Sequence, residues 1–495
     1  MKLFKLAVLG AVALSPLPAL AHGDHGQVLE APVQRGKAKG ARQWLAGDHH
    51  IHSEFSADYE KDPANPDGPP IALLGRDGRY SIRKNAEMAR SFGLSWMVST
   101  DHGGPNHARV NHDLAYPALL ESRKAVPEVL QFFGMELDPP NGDHASLIVP
   151  HSAGERSQLF EIEKGYSRRD PWPVDPAFDE PSHMLSALRA MKAQTLPPLV
   201  FANHPSRSAK ALDAYGRYDP AELRDWNDAA PKVAVGMEGA PGHQASALKA
   251  DGGIDPEGRR GGYKQVPTRG GFDPMTAITG GLWDAMLAEG RRWWITATSD
   301  SHFNWREGGN DFWPGEYSKT YVLARKDYAD IVDGLRHGRI FVTTGDLVTA
   351  VSVDVRPERG KGRAGIGEEL AVRKGQPLLI EIRVRDPKRF NAGGRDPMVR
   401  RIDLIGGPVT GPASDRSADR APQTAVIARF TAADWKVEGE DIVVRHRLPE
   451  VSGPIYLRVR GTNTDELEPA IDPAGENPWD DLWFYANPVF VSIKP

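Results

Sequence analysis

The chain has 495 residues, including 66 acidic and 61 basic side chains, 16 histidines and no cysteine. A length of this order usually means more than one domain. A net charge of −5 argues against a surface built on nucleic-acid phosphate contacts. The absence of cysteine excludes disulfides, thiolate metal sites and cysteine nucleophiles, so a metal or hydrolytic site must use His, Asp and Glu.

Residues 1–21 have the pattern of a secretory signal peptide. Lys2 and Lys5 form a basic start, an apolar run follows over residues 6–14, and residues 19–21 have the small-x-small pattern of a cleavage site. The apolar run is shorter than the roughly 20 residues that a membrane span requires. We therefore expect an exported protein, periplasmic or secreted, with no membrane span and with residues 22–46 as an N-terminal arm.

Between residues 47 and 346, short apolar runs precede polar turns, and helix-like stretches separate them. Strands are predicted over residues 94–98, 129–133, 146–149, 199–202, 233–235 and 293–298, and helices over 81–92, 183–192 and 283–289. Continuous apolar runs are typical of strands buried on both faces of a parallel sheet. Their alternation with helices predicts an α/β fold, and a (β/α) barrel builds its active site at the carboxyl ends of its strands.

The pattern changes in residues 347–495. Residues 380–385 alternate strictly between apolar and charged side chains, and residues 401–405, 442–447 and 456–460 are further predicted strands with one wet face. Segments rich in Gly, Pro, Asp and Arg separate them, and no helix is predicted. This pattern is typical of a small antiparallel β-sandwich. We expect it to pack on the first domain and to contribute no chemistry.

Six histidines lie in compact polar motifs at the ends of predicted strands. His50 and His52 are two residues apart, so on an extended strand both imidazoles point the same way. Asp300 and His302 repeat this spacing, and Glu136 ends another apolar run. The remaining motif histidines are His102, His144 and His204. Each motif alone also fits a buried structural histidine, but imidazole and carboxylate together suit clustered Zn, Mn or Fe.

In order and spacing these motifs resemble those of the polymerase and histidinol phosphatase (PHP) superfamily, over roughly residues 47–346. The resemblance is carried by His50-x-His52, Thr100-Asp-His102, Glu136 followed by His144, Asn203-His204-Pro205 and Ser299-Asp300-Ser-His302. It implies a distorted (β/α)7 barrel that holds two or three divalent metal ions. The metal ligands that it implies are His50, His52, Asp58, His102, Glu136, His144, His204, Asp300 and His302. Asp58 is the nearest match to the ligand that follows His-x-His, with one extra residue before it, and Glu136 would bridge two ions.

The segment 338–345 and the β-rich tail ending at residues 483–491 are similar to exported PHP proteins grouped with carbaryl hydrolase-like enzymes. Two hydrolase functions follow from the resemblance. The first is cleavage of a phosphate ester, a diester rather than a monoester, by a metal-bridging hydroxide. The alternative is hydrolysis of a carboxylic or carbamate ester with the same metals. In both cases the expected partner is a small-molecule ester, and the sequence does not indicate an oligomeric state.

Three further residues are candidates for catalysis. Arg207, just after the Asn203-His204-Pro205 motif, would grip a phosphate or else be an exposed structural arginine. His243 follows another strand end and would protonate a leaving group or else be a loop histidine. Asp101 is expected to orient a ligand or a water molecule without touching the metal.

The character of the pocket distinguishes the candidate functions. A phosphodiesterase pocket should carry cationic groups besides the metals, whereas an aryl-ester or carbamate pocket should be aromatic. Trp305, Phe312 and Trp313 leave the second function open, although core packing explains aromatic residues more often. A third hypothesis, a non-enzymatic metal-binding or adhesion module, predicts the loss of several ligand positions, and the chain retains all of them but the displaced Asp58.

Overall fold

The structure is a computed structural model that describes residues 40–212 and 214–494. The predicted signal peptide and residues 22–39 of the predicted arm lie outside the described residues. The first strand begins at Gln43, within the last residues of that arm. Among the described residues, no helix has both the length and the apolar character needed to cross a bilayer.

The first part of the described chain alternates strands and helices. Its strands are β1 (Gln43–Asp48), β2 (Asp58–Glu60), β3 (Ile71–Leu73), β4 (Trp96–Ser99), β5 (Leu130–Leu137), β6 (Ala145–Ile148), β7 (Leu199–Ala202), β8 (Ala234–Ala240), β9 (Trp294–Ala297), β10 (Ser318–Ala324) and β11 (Ile340–Thr344). Its α-helices are α1 (Ile82–Ser91), α2 (His107–Val110), α3 (Tyr116–Ala125), α4 (Glu155–Tyr166), α5 (Pro181–Lys192), α6 (Pro220–Ala229), α7 (Pro274–Ala277), α8 (Leu282–Ala288) and α9 (Tyr328–Arg336). A π-helical stretch, Asn111–Ala115, joins α2 to α3, and short 3-10 helices cover Pro176–Asp179, Arg260–Gly262 and Trp305–Glu307.

The second part is built of strands, and its described residues contain no helix. The strands are β12 (Ala350–Pro357), β13 (Glu369–Val372), β14 (Leu378–Arg385), β15 (Arg401–Pro408), β16 (Ala425–Phe430), β17 (Lys436–Glu438), β18 (Asp441–Leu448), β19 (Ile455–Thr462) and β20 (Trp483–Ile493). The elements predicted from hydrophobic periodicity in both parts are therefore confirmed, with boundaries shifted by a few residues.

The fold is a mixed α/β structure with one large mixed sheet and a separate antiparallel sheet. The large sheet has the order β16-β15-β19-β20-β11-β10-β1-β4-β5-β6-β7-β8-β9, with β13 beside β20. The pairs β1–β4, β4–β5, β7–β8 and β8–β9 are parallel, as predicted. The prediction of parallel pairing is wrong at β6, which runs antiparallel to both β5 and β7. Residues 138–144 are too few for the crossover of a dozen or more residues that a parallel pair requires.

The two ends of the stretch from β1 to β9 come together. The backbone N–H of His52 donates to the Ser301 carbonyl at 3.0 Å, and that of Ser299 donates to the Asp48 carboxylate at 3.1 Å. The Thr320 hydroxyl of β10 bonds both the N–H and the carbonyl of Ala297 in β9, each at 2.8 Å. The carboxyl ends of β1, β4, β5, β7, β8 and β9 consequently share one rim.

The tail joins this sheet through its last strand. β20 lies between β11 and β19 and pairs antiparallel with both. The Asn487 side chain of β20 also bonds the N–H and the carbonyl of Ile295 in β9, at 3.0 and 3.2 Å. The separate sheet, β12-β14-β18-β17, turns its alternate apolar side chains, such as Val353 and Ile382, into a core shared with Leu404 of the large sheet.

Candidate metal centre

Four overlapping groups of His, Asp and Glu side chains lie at the shared rim; three contain the predicted ligands together with Asp77, and the fourth is His243, His302 and Asp311. Within each group, one nitrogen or oxygen atom per residue lies within 4.8 Å of the others. The first group is His50, His52, Glu136 and Asp300; the second is His52, Asp77, His102 and His302; the third is Glu136, His144 and His204. His52 belongs to the first and second groups, and Glu136 belongs to the first and third. Three ions at these groups would be adjacent.

The strand ends bring these residues together. His50 and His52 follow β1, His102 follows β4, and Glu136 lies within β5. His144 immediately precedes β6, His204 follows β7, and Asp300 and His302 follow β9. Because these strands lie side by side in one sheet, residues as far apart in sequence as His50 and His302 converge on one rim.

The ligand atoms face each other at short distances, and several of them have no hydrogen-bond partner. The Glu136 carboxylate lies 3.0 Å from a ring nitrogen of both His50 and His144 and 3.2 Å from His204 Nε2. His52 Nε2 and Asp300 Oδ1 are 3.2 Å apart, and both are buried with no hydrogen-bond partner. Unpaired buried polar atoms are costly, so convergent imidazole and carboxylate atoms of this kind fit divalent cations.

Outer residues fix the orientation of the histidine rings. Glu238 Oε1 lies 2.7 Å from His50 Nδ1, and the Ser56 hydroxyl lies 2.8 Å from His52 Nδ1. Ser56 in turn donates to Asp101 at 3.1 Å. Such partners set the tautomer of a histidine and leave its other nitrogen free for a metal.

The side-chain charges compensate one another. Burial raises the pKa of Glu136, but the charges of His144 and His50 outweigh it and hold that pKa well below its usual range. Burial lowers the pKa of His144, but the charge of Glu136 and the hydrogen bond to Asp138 raise it to about 10. Divalent cations would take over this neutralising role, since metal binding displaces protons from histidine.

Three residues of the rim have backbone conformations that non-glycine residues rarely adopt. The φ angles of His204, His243 and Asp300 are 31°, 52° and 46°. Conformations of this kind cost on the order of 1–3 kcal/mol each and concentrate at functional sites. At His204 the backbone N–H donates to Glu238 Oε2 at 2.6 Å, which stabilises the strained position.

Eight of the nine ligands implied by the resemblance lie in these groups, and the structure does not bring Asp58 to them. Asp58 is the first residue of β2, and its side chain is exposed. The hairpin of β2 and β3 leads the chain to Asp77, whose Oδ2 lies 3.1 Å from His102 Nε2 and 3.5 Å from His302 Nε2. Asp77, and not Asp58, therefore lies within reach of these histidines.

The three predicted catalytic residues lie at the same rim, and His243 also belongs to the group with His302 and Asp311. Arg207 donates to Asp300 Oδ2 at 3.1 Å and lies 2.6 Å from His204 Nε2. His243 Nε2 is 3.0 Å from the same Asp300 oxygen, and its Nδ1 is 2.5 Å from Asp311. Asp101 is buried, accepts hydrogen bonds from Ser53 and Ser56, and belongs to none of the groups; its orienting role stays a prediction.

The groups open into a cavity of about 420 Å³. Three arginines, Arg76, Arg79 and Arg207, line it together with Asn310, and Phe303 is its aromatic lining residue. Trp305, Phe312 and Trp313 are buried elsewhere: Trp313 packs on Tyr80 at 4.2 Å, and Phe312 stacks on Tyr317 at 4.8 Å. The aromatic residues that left a carbamate pocket open therefore belong to the core.

Four site residues escaped the sequence analysis. Asp138 follows Glu136 by two residues, and Glu238 comes after an apolar run of its strand as Glu136 does, so both carried a usable signal. Asp138 Oδ1 lies 3.4 Å from His144 Nε2. Asp77 and Asp311 lie in polar loops with no ligand-like spacing, and only the folded chain brings them to the rim.

Comparison with known proteins adds little. No family model and no curated protein sequence matches the chain. One solved structure with some similarity is a chitin-binding domain from Burkholderia pseudomallei, at 16% identity, with a TM-score of 0.15. The alignment covers 26% of this chain and 57% of that one. A similarity of this extent supports no statement about fold or function.

Proposed function

We propose that the protein is an exported metal-dependent phosphoesterase of the PHP superfamily. In this proposal residues 47–346 form a distorted (β/α)7 barrel, and residues 347–495 form a β-sandwich that packs on it. The observation that carries the proposal is the sharing of Glu136 and His52 among three ligand groups in one cavity. The close approach of the ends of β1 and β9 supports the barrel, and the separate antiparallel sheet β12-β14-β18-β17 supports the β-sandwich.

Divalent ions held by these groups would supply a hydroxide nucleophile at neutral pH and would neutralise charge on phosphoryl oxygens. The chain's own residues account for binding and proton transfer. Arg207, beside Asp300 and His204, is placed to donate hydrogen bonds to a phosphoryl oxygen. His243, held by Asp311, presents Nε2 to the same space and is placed to give its proton to the leaving alkoxide.

The cavity lining favours a phosphate ester over a carboxylic or carbamate ester. Three guanidinium groups surround the ligand groups, whereas Phe303 is the aromatic residue that reaches the cavity from the described chain. A cationic wall suits the charge that develops on phosphoryl oxygens. A neutral carbamate would gain little from it.

The test is hydrolysis of 4-nitrophenyl phosphate, bis(4-nitrophenyl) phosphate and 4-nitrophenyl acetate, with elemental analysis of the same purified sample. We expect turnover of the phosphates, the diester above the monoester, with two or three metal ions per chain. Glu136→Gln should abolish turnover and lower metal content. Glu128→Gln, on the exposed loop before β5, is the matched control. Turnover of the acetate alone would favour the carboxylic-ester function.

A further inference from the structure

Two arginines at the mouth of the cavity carry charge that the described chain does not neutralise. Arg76 and Arg79 line the same cavity as the ligand groups. Among the described residues, no carboxylate oxygen lies within 4.0 Å of either guanidinium, whereas Arg207 pairs with Asp300 at 3.1 Å. The charge of Arg207 is thus partly neutralised by Asp300, whereas Arg76 and Arg79 have no such carboxylate partner among the described residues.

The segment that carries these arginines is fixed to the rim. Gly78 approaches the chain after His52 so closely that a Cβ there would lie 2.0 Å from the Ser53 carbonyl oxygen. The Arg79 backbone N–H donates to the His302 carbonyl at 3.3 Å. The Arg79 guanidinium stacks over the Phe303 ring, with Cζ 3.8 Å from its centroid. The position of Arg79 relative to the ligand groups is therefore set by packing and hydrogen bonding.

The cavity has room for more than the group that is cleaved. Its volume of about 420 Å³ lies within the range of pockets that enclose a whole small molecule. A phosphate held at Arg207 and the ligand groups would leave its organic part facing Arg76 and Arg79. Two guanidinium groups can form charge-assisted hydrogen bonds with an anion, whereas an uncharged group offers them no such partner.

We propose that Arg76 and Arg79 form a second anion subsite, which selects phosphate esters that carry a further anionic group on their organic part. This inference rests on the proposed function and names its substrate class. Carboxylate and phosphate are the anionic groups that a guanidinium binds through paired hydrogen bonds. The subsite binds this group and takes no part in bond cleavage.

The test compares three diesters with one leaving group: butyl, 3-carboxypropyl and 3-phosphonooxypropyl 4-nitrophenyl phosphate. We expect kcat/KM for the charged esters to exceed that for the butyl ester by roughly tenfold to a hundredfold, as for hydrogen bonds between charged groups. Arg76→Gln with Arg79→Gln should remove the preference, and added salt should reduce it. Arg83→Gln, an exposed arginine of α1 paired with Glu87, should preserve it. The two charged esters show which anion the subsite prefers.

Equal kcat/KM for charged and uncharged esters would overturn the subsite and leave the phosphoesterase activity established. A preference that persists in the double variant would overturn the assignment to Arg76 and Arg79. If no ester is hydrolysed, the proposed function fails, and binding decides the subsite separately. Calorimetric titration with 4-phosphonooxybutanoate and with butyl phosphate then measures the same preference without turnover, and equal affinities would overturn it.

Discussion

Glu238 Oε1 lies 2.7 Å from His50 Nδ1, and both side chains are fully buried. The second carboxylate oxygen of Glu238 accepts the backbone N–H of His204 at 2.6 Å. Thr298 donates to the first oxygen at 2.7 Å. One carboxylate therefore orients a ring of the first ligand group and the backbone of the third.

Replacing Glu238 by Gln should weaken metal binding without removing a ligand. The amide keeps the shape of the side chain but loses the charge that supports His50, and changes of this kind typically cost about 10- to 100-fold in metal affinity. Competition with a chelator, followed by elemental analysis, measures the effect. Glu163→Gln is the matched control because Glu163 is also buried and lies 2.7 Å from a histidine, His107, outside the ligand groups. Equal affinities in the two variants would contradict the role of Glu238.

Asp77 and Asp58 offer a direct comparison of structure with sequence. Asp77→Asn should lower the number of bound ions because it removes a carboxylate from the second group. Asp58→Asn should leave metal content unchanged because the Asp58 side chain is exposed on β2. Elemental analysis of both variants after the same metal loading is sufficient. The reverse result would restore the original ligand assignment.

His243→Gln should slow the release of poor leaving groups most. An alkoxide needs a proton to leave, and a positioned acid typically contributes about 10²- to 10⁴-fold, whereas 4-nitrophenolate leaves unaided. Asp311→Asn should also slow esters with poor leaving groups more than those with good ones, but by a smaller factor, since Asp311 acts through His243 Nδ1. The measurement is kcat for a methyl ester and a 4-nitrophenyl ester of phosphate. An equal loss on both substrates would exclude proton donation by His243.

The sequence predicted the parts of the fold and site that depend on local patterns. Apolar runs located β4, β5 and β7. The i, i+2 spacing placed the His50 ring beside the His52 ring. Both features depend only on residues that are close together in an extended chain. The direction of β6 depends on the short turn through Asn141, and the position of Asp77 depends on where a hairpin returns the chain. These features follow from long-range contacts, so no periodicity in the residues themselves reports them.

His107 should make stability depend on pH. Burial lowers the pKa of His107, but the charge and hydrogen bond of Glu163 raise it to about 9. The pKa in the folded protein exceeds the value of about 6.5 in the unfolded chain. The protonated ring therefore contributes its full stabilisation below pH 6.5, and this stabilisation is lost as the pH rises through 9. The difference in free energy of unfolding between wild type and His107→Gln should therefore shrink from pH 6.5 to pH 10. Urea titrations measure this difference, with His337→Gln as a surface control. A difference that stays constant with pH would contradict the stabilising pair of His107 and Glu163.

Asn487→Ala should destabilise the domain that carries the metal centre. The substitution leaves the N–H and the carbonyl of Ile295 buried without partners, at a cost of about 1–3 kcal/mol for each group. The free energy of unfolding, measured by urea titration, should fall accordingly. Deletion of residues 346–495 should likewise impair folding more than it impairs metal binding and hydrolysis. Ser352→Ala, exposed in β12, is the control. An unchanged unfolding midpoint would show that β20 does not support β9.

The place of β20 also dictates an order of assembly. Residues 483–493 are the last strand of the described residues, yet they lie inside the large sheet with β11 on one side and β19 on the other. During synthesis from the N-terminus, both neighbours emerge first and present open strand edges, which invite pairing with other chains. Folding of the large sheet therefore waits until residues 483–493 are present, and a chain truncated shortly before residue 483 is prone to aggregate.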